Sequence, residues 1–159
     1  YQGEPLLVVY GTGSDDAKHA EKLKAASEKL ASFGGPTFTP LRAHFRVVAD
    51  TVITPEQEEN CNLILIGTPR ENRLTRMILP YLPIAIRNDT LFVEELPHIP
   101  LWNQVLSLLH PNPGHHHRLV YLIAPFTAEN GFDTFCEAPQ SFLVGSEGFD
   151  RMSQVDLVV

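Results

Sequence analysis

The sequence predicts a single α/β domain, a three-layer sandwich around a mixed, mainly parallel sheet that is Rossmann- or flavodoxin-like in its first half. Three observations carry this. Apolar runs of four or five residues, too short for buried helices, alternate with segments whose apolar residues fall three and four apart. The runs are delivered into turns that hold glycine or a helix N-cap, and three strand–helix units fit into about 75 residues, the signature of a parallel sheet. The 159 residues are 43% apolar, enough for one substantial core.

The first unit is PLLVVYGTGSDD. Leu6 to Tyr10 reads as a buried strand entering the turn Gly11-Thr12-Gly13, with Ser14 as the expected N-cap and Asp15 and Asp16 at the positive end of the helix dipole. Leu23, Ala26, Leu30 and Phe33 form one apolar stripe on a helix that stops before Gly34-Gly35. The second unit is FRVVAD, residues 45 to 50, followed by Thr54-Pro55-Glu56-Gln57. That tetrad supplies an N-cap, a proline at the first helical position and a capping-box glutamine, so a short helix is expected. The third is LILIG, residues 63 to 67, a continuous apolar run expected at the sheet centre, adjacent or near-adjacent and parallel to Leu6 to Tyr10. A helix from Thr68-Pro69 to about Leu79 follows, with Leu74 and Ile78 inward.

The second half changes character. PIAIRNDTLFVEEL has Asn88-Asp89 between two short apolar runs and predicts a hairpin, a local antiparallel excursion. VLSLL, RLVYLIAP and SFLVG are strand candidates, with a weak helical stretch near Thr127 to Phe135.

Composition excludes several classes of function. A formal net charge of -7 offers no basic face to nucleic acid. Unbroken apolar runs such as LLVVY are far short of the roughly 20 residues that cross a bilayer, so no membrane span is expected. Cys61 and Cys136 are too few for a disulfide framework and lack CxxC spacing; both are read as small, buried or half-buried side chains. The start at Tyr1-Gln2-Gly3 leads to the expectation of a processed chain or of one domain, 1–159, excised from a longer protein.

Ligands of open parallel sheets sit outside the carboxyl ends of the strands. The turns expected to meet there make Gly11, Thr12, Gly13, Ser14, Gly67, Thr68, Asn72 and Asn112 the candidate ligand-binding residues. GTGS lacks the third glycine of GxGxxG and is no Walker loop, so nucleotide binding has weak support. No catalytic residue is assigned: Gly145-Ser146-Glu147-Gly148 has the wrong spacing for a GxSxG nucleophile elbow. HPNPGHHHR, residues 110 to 118, lies between apolar segments and is native sequence rather than a tag. It is read as an exposed turn, with His110, His115 and His117 as the metal candidates. No cofactor is expected.

Tyr10-Gly11-Thr12 after a strand, Gly67-Thr68-Pro69 with Asn72 after another, and Pro111-Asn112-Pro113 before a strand containing Arg118 form a succession over roughly residues 5 to 150. It resembles the accessory α/β domain that follows the hydrolase domain in some bacterial secreted serine peptidases and esterases of the prolyl oligopeptidase type. His110 replaces an aromatic residue of that pattern, and His115 to His117 look inserted. The resemblance implies a non-catalytic accessory or ligand-binding domain, secreted or periplasmic. Its partners would be a neighbouring serine hydrolase domain and a small-molecule or peptide ligand. The alternative is a small independent enzyme, or a nucleotide- or metal-binding α/β protein.

Overall fold

The computed structural model describes residues 5–32, 45–94, 96–126, 129–139 and 154–158. β1 (Leu6–Tyr10) leads through α1 (Ala17–Ala31) to β2 (Arg46–Ala49), and α2 (Pro55–Asn60) leads to β3 (Asn62–Ile66) and α3 (Arg73–Ile78), which a 3-10 turn (Leu79–Tyr81) extends. Then come β4 (Ile84–Arg87), β5 (Thr90–Val93), β6 (Ile99–Pro100), β7 (Gln104–Asn112), β8 (His115–Phe126), α4 (Glu129–Glu137) and β9 (Gln154–Val158). The protein is thus mixed α/β, with a mainly parallel six-stranded sheet ordered β2-β1-β3-β8-β7-β9 and a separate antiparallel sheet ordered β4-β5-β6.

Register follows from the apolar runs. β1 lies between β2 and β3, parallel to both, with Val8 opposite Val47 and Ile64. β3 continues parallel into β8, Ile64 opposite Tyr121, so LILI is central as its unbroken apolar character predicts. β7 joins β8 as an antiparallel hairpin, which turns the sheet from parallel to mixed. Alternate side chains feed two cores. Val8, Ile64, Ile66, Tyr121 and Ile123 pack with Leu23, Ala26 and Leu30 of α1 and with Phe132 and Phe135 of α4. Leu7, Val9, Leu65, Leu106 and Leu122 pack with Leu74 of α3 and with Ile84 and Leu91 of the small sheet.

Thr54 and Gln57 form the expected reciprocal capping box on α2. α1, however, is capped by Asp16, whose carboxylate accepts the Lys18 N–H at 2.9 Å, and not by Ser14. The Ser14 hydroxyl instead accepts the Asp16 N–H at 3.2 Å, and Gly13 N–H is held by the Glu71 carbonyl at 2.7 Å, which keeps the chain extended until Asp16. α3 begins at Arg73 with Asn72 as N-cap, four residues later than Thr68-Pro69 predicts. Asn88 and Asp89 have φ of 48 and 53, the paired left-handed conformation of a type I′ turn, as the hairpin reading requires.

HPNPGHHHR is not a loop. Asn112 Oδ1 accepts the Gly114 N–H at 3.0 Å and closes a tight turn at Pro113-Gly114; Asn112 pairs with His115, and the antiparallel ladder resumes at Pro111 and Leu119, with His116, His117 and Arg118 bulged between. The register shifts only between Pro111 and Asn112, where proline cannot donate. β6 and β9 have no counterpart among the sequence-derived strands, whereas SFLVG, Phe33 and Gly34-Gly35 fall outside the described residues. No helix of the described residues is long and apolar enough to cross a membrane.

Ile66 is 0% exposed at the centre of the sheet. Ile66→Ala is expected to lower unfolding free energy by about 2–5 kcal/mol in a urea titration; a loss below about 0.5 kcal/mol would show that β3 does not carry the core.

Candidate functional site

Two of the predicted turns meet at the carboxyl ends of β1 and β3, and they meet backbone to backbone. Gly11 N–H donates to the Ile66 carbonyl at 2.9 Å. A Cβ on Gly11 would lie 2.6 Å from the Glu71 carbonyl carbon and oxygen, and one on Gly13 would lie 2.7 Å from the Arg70 oxygen. Only glycine permits this approach. The contact is locked by Asn72, which is 0% exposed. Its Nδ2 donates to the Val9 carbonyl at 3.1 Å and the Ile66 carbonyl at 3.0 Å, tying β1 to β3. Its Oδ1 accepts the Leu74 and Thr75 N–H groups at 2.9 and 3.2 Å, capping α3. Both donors and both lone-pair positions of the amide are engaged within the fold.

A second polar centre braces the same corner. Asp50, 2% exposed at the end of β2, accepts from the Thr12 N–H at 3.1 Å and the Thr12 hydroxyl at 2.7 Å through Oδ1, and from the Arg73 N–H at 2.7 Å through Oδ2. The Arg73 guanidinium turns back onto the Asp50 carbonyl, with Nε at 3.2 Å and Nη2 at 3.0 Å. Buried carboxylates require such partners. Gly67, at φ 121, sends its N–H to the Ile123 carbonyl at 3.0 Å, and Thr68 N–H goes to Glu71 Oε2 at 2.8 Å. The backbone N–H groups of Gly11, Thr12, Gly13, Gly67 and Thr68 are therefore all bound internally.

The open space lies beside this corner, toward the end of β8 and the start of β7. It is a cleft of about 510 Å³ lined by residues 13–16, His19, Thr68, Arg70, Glu71, Asp89, Trp102, Asn103 and residues 125–126. Gly13, Ser14 and Thr68 of the predicted set line it; Gly11, Thr12, Gly67 and Asn72 stand behind it as supports. Within it His19 Nε2 pairs with Glu71 Oε1, and the imidazole stacks on Phe132 at 3.8 Å between centroids. Glu71 thus bridges α1 and the turn after β3.

No family model, curated protein or solved structure matches the chain.

Asn112 is not at this site. β7 ends and β8 begins at the opposite end of the sheet, where Leu119 N–H meets Asn62 Oδ1 at the first residue of β3. A turn in an antiparallel hairpin with its partner strand parallel to β3 must point away from the carboxyl ends, so the expected three-turn convergence is reduced to two. Asn112 instead borders a separate, mainly apolar hollow of about 300 Å³ with His115, Met77 and Tyr81. His115 and His117 do share a face, with ring centroids 6.5 Å apart. His110 Nδ1 bonds the Pro111 carbonyl at 2.6 Å, and no three His, Cys, Asp or Glu side chains gather around a metal position among the described residues.

His19, Asp50, Glu71, Arg73 and Trp102 escape the sequence reading. Asp50 was visible as the acid ending FRVVAD, and His19 as the residue one turn ahead of Leu23 on the buried stripe. Cys61 and Cys136 are free and half-buried. Burial, with Asp133 as the next cause, pushes the Cys136 thiol from 9.0 up to about 11, which keeps it protonated and unreactive at neutral pH.

On an ordinary N-cap, Asp and Asn are equivalent. Here Asn72→Asp is expected to cost about as much as Asn72→Ala, about 3 kcal/mol, because a carboxylate keeps the α3 cap yet faces two carbonyls with no donor. Urea unfolding of both variants checks this; an Asp variant as stable as the parent would refute the bridging role.

Proposed function

We propose that the chain is a non-catalytic, ligand-binding accessory α/β domain that works beside a serine hydrolase domain in a secreted or periplasmic protein. The sheet order β2-β1-β3 and the two cores fit a three-layer, Rossmann- or flavodoxin-like first half. The observation that carries the proposal is the cleft's chemistry: it is large enough for a small molecule or a peptide side chain and contains an imidazole that faces a carboxylate and a phenyl ring instead of a nucleophile. Nucleophilic catalysis needs a hydroxyl or thiol within reach of its base, and the partner that His19 has is the Glu71 carboxylate.

Nucleotide binding fits less well. The crevice between β1 and β3 is where a doubly wound sheet receives a phosphate, through free N–H groups of a glycine turn. Here that crevice is filled by the Gly11–Glu71 contact, its N–H groups are bound, and Asp50, placed where such folds put a ribose acceptor, is turned onto Thr12 and Arg73. The small-enzyme reading keeps one observation in its favour, the His19–Glu71 pair, a base with its orienting carboxylate.

The two readings part in the full-length protein. A fluorophosphonate probe is expected to label a GxSxG serine outside these residues, with no adduct among the 159 when peptides are mapped by mass spectrometry. An adduct on a serine within them, or a complete reading frame of this length, would overturn the accessory role.

A further inference from the structure

The cleft has two unlike walls. One is aromatic and apolar: Trp102, Pro125 and Phe126. The other is acidic: Asp15, Asp16 and Glu71, with Asp89 at the rim. Against these four carboxylates the lining holds one guanidinium, Arg70, already 3.8 Å from Asp89, and the His19 ring, which Glu71 engages. Asp15 has no hydrogen bond or ion pair among the described residues. The positive end of α1 opens into the same space, but Asp16 caps it and Asp15 precedes it. With the glycine-turn N–H groups bound internally as well, an anion meets no free backbone donor at those turns and an unfavourable field from the carboxylates.

Trp102 is the chain's single tryptophan and is 71% exposed. It is displayed by a fixed turn. Leu101, fully buried, donates its N–H to the Asp89 carbonyl at 2.7 Å, Gln104 N–H returns to the Leu101 carbonyl at 2.9 Å, and Asn103 takes φ 59. A large ring exposed on a hydrogen-bonded turn, lining one cleft together with carboxylates, is a platform for a cation on an apolar stem.

We infer that the cleft takes a basic side chain of a peptide, arginine or lysine, with its alkyl stem along Trp102 and Phe126 and its charge toward Asp15 and Asp16. The inference rests on the proposed role of this cleft as the ligand site and adds the ligand's chemistry. The guanidinium is the better fit, because it stacks on indole and forks onto carboxylate in one pose. The net charge of -7 steers such a ligand in from a distance.

Trp102 fluorescence provides the readout. Acetyl-Gly-Arg-Gly-amide is expected to shift it saturably, acetyl-Gly-citrulline-Gly-amide to bind at least about tenfold more weakly, and inorganic phosphate to leave it unchanged. Raising NaCl from about 0.1 to about 1 M, which shortens the screening length from about 10 to about 3 Å, should weaken the arginine peptide. Asp15→Asn, at an exposed position with an unchanged melting temperature, should weaken it several-fold. Equal binding of the citrulline peptide, tighter binding of phosphate, or an unaffected Asp15→Asn variant would overturn the cation assignment while leaving the cleft a ligand site. Silence of Trp102 toward every probe would overturn the ligand site itself.

Discussion

The amide of Asn72 ties the start of α3 to the paired strands β1 and β3 at one corner. Its nitrogen holds the Val9 carbonyl of β1 and the Ile66 carbonyl at the end of β3, and its oxygen starts α3 from the same point. Because the side chain is fully buried, each of these bonds is made away from water, where an unmet partner is costly. Asp50 repeats the design one strand outward, joining β2 to the Thr12 turn and to the first residue of α3. The carboxyl edge of β2, β1 and β3 is thereby a single braced unit, and the cleft wall formed by residues 13–16 and 68–71 is carried on it.

Bracing this edge moves the place where a ligand can sit. In an open doubly wound sheet the gap between diverging connections is the receptive crevice. Here two glycines let the turn after β1 lie against the turn after β3, and the gap is closed by main chain. What stays open is the neighbouring space above β8 and β7, bounded by the β4–β5 turn and the Trp102 turn. The antiparallel hairpin thus borders the cleft with its open end, residues 125–126 beside the Trp102 turn, while its histidine-bearing tip lies at the other end of the sheet. The polar groups of the cleft and the most conspicuous sequence feature of the chain are at opposite ends of the sheet.

Elements governed by local chemistry were legible in the sequence. LLVVY and LILI became paired central strands because an unbroken apolar run has no solvent face to offer. Thr54-Pro55-Glu56-Gln57 capped its helix because all its partners lie within four residues, and Asn88-Asp89 turned its hairpin by their own left-handed preference. What was lost depended on distant partners. Ser14 gave way to Asp16 because Glu71, far along the chain, holds Gly13. Asn72 read as a ligand contact, since nothing local shows that the Val9 carbonyl waits for it. The cleft is assembled from five separate segments, and His19, Glu71 and Trp102 carry no shared spacing. β6, two residues long, is too short for periodicity to register.

Native-state hydrogen exchange at the Thr12, Gly13, Thr68, Arg73, Leu74 and Thr75 amides tests the braced edge most directly. If Asn72, Asp50 and Glu71 hold it as one unit, these turn and helix-start amides exchange as slowly as those of β1 and β3, through global unfolding alone. Exchange at rates typical of exposed loops, with β1 and β3 still protected, would mean that the corner opens independently and that the cleft has no fixed wall.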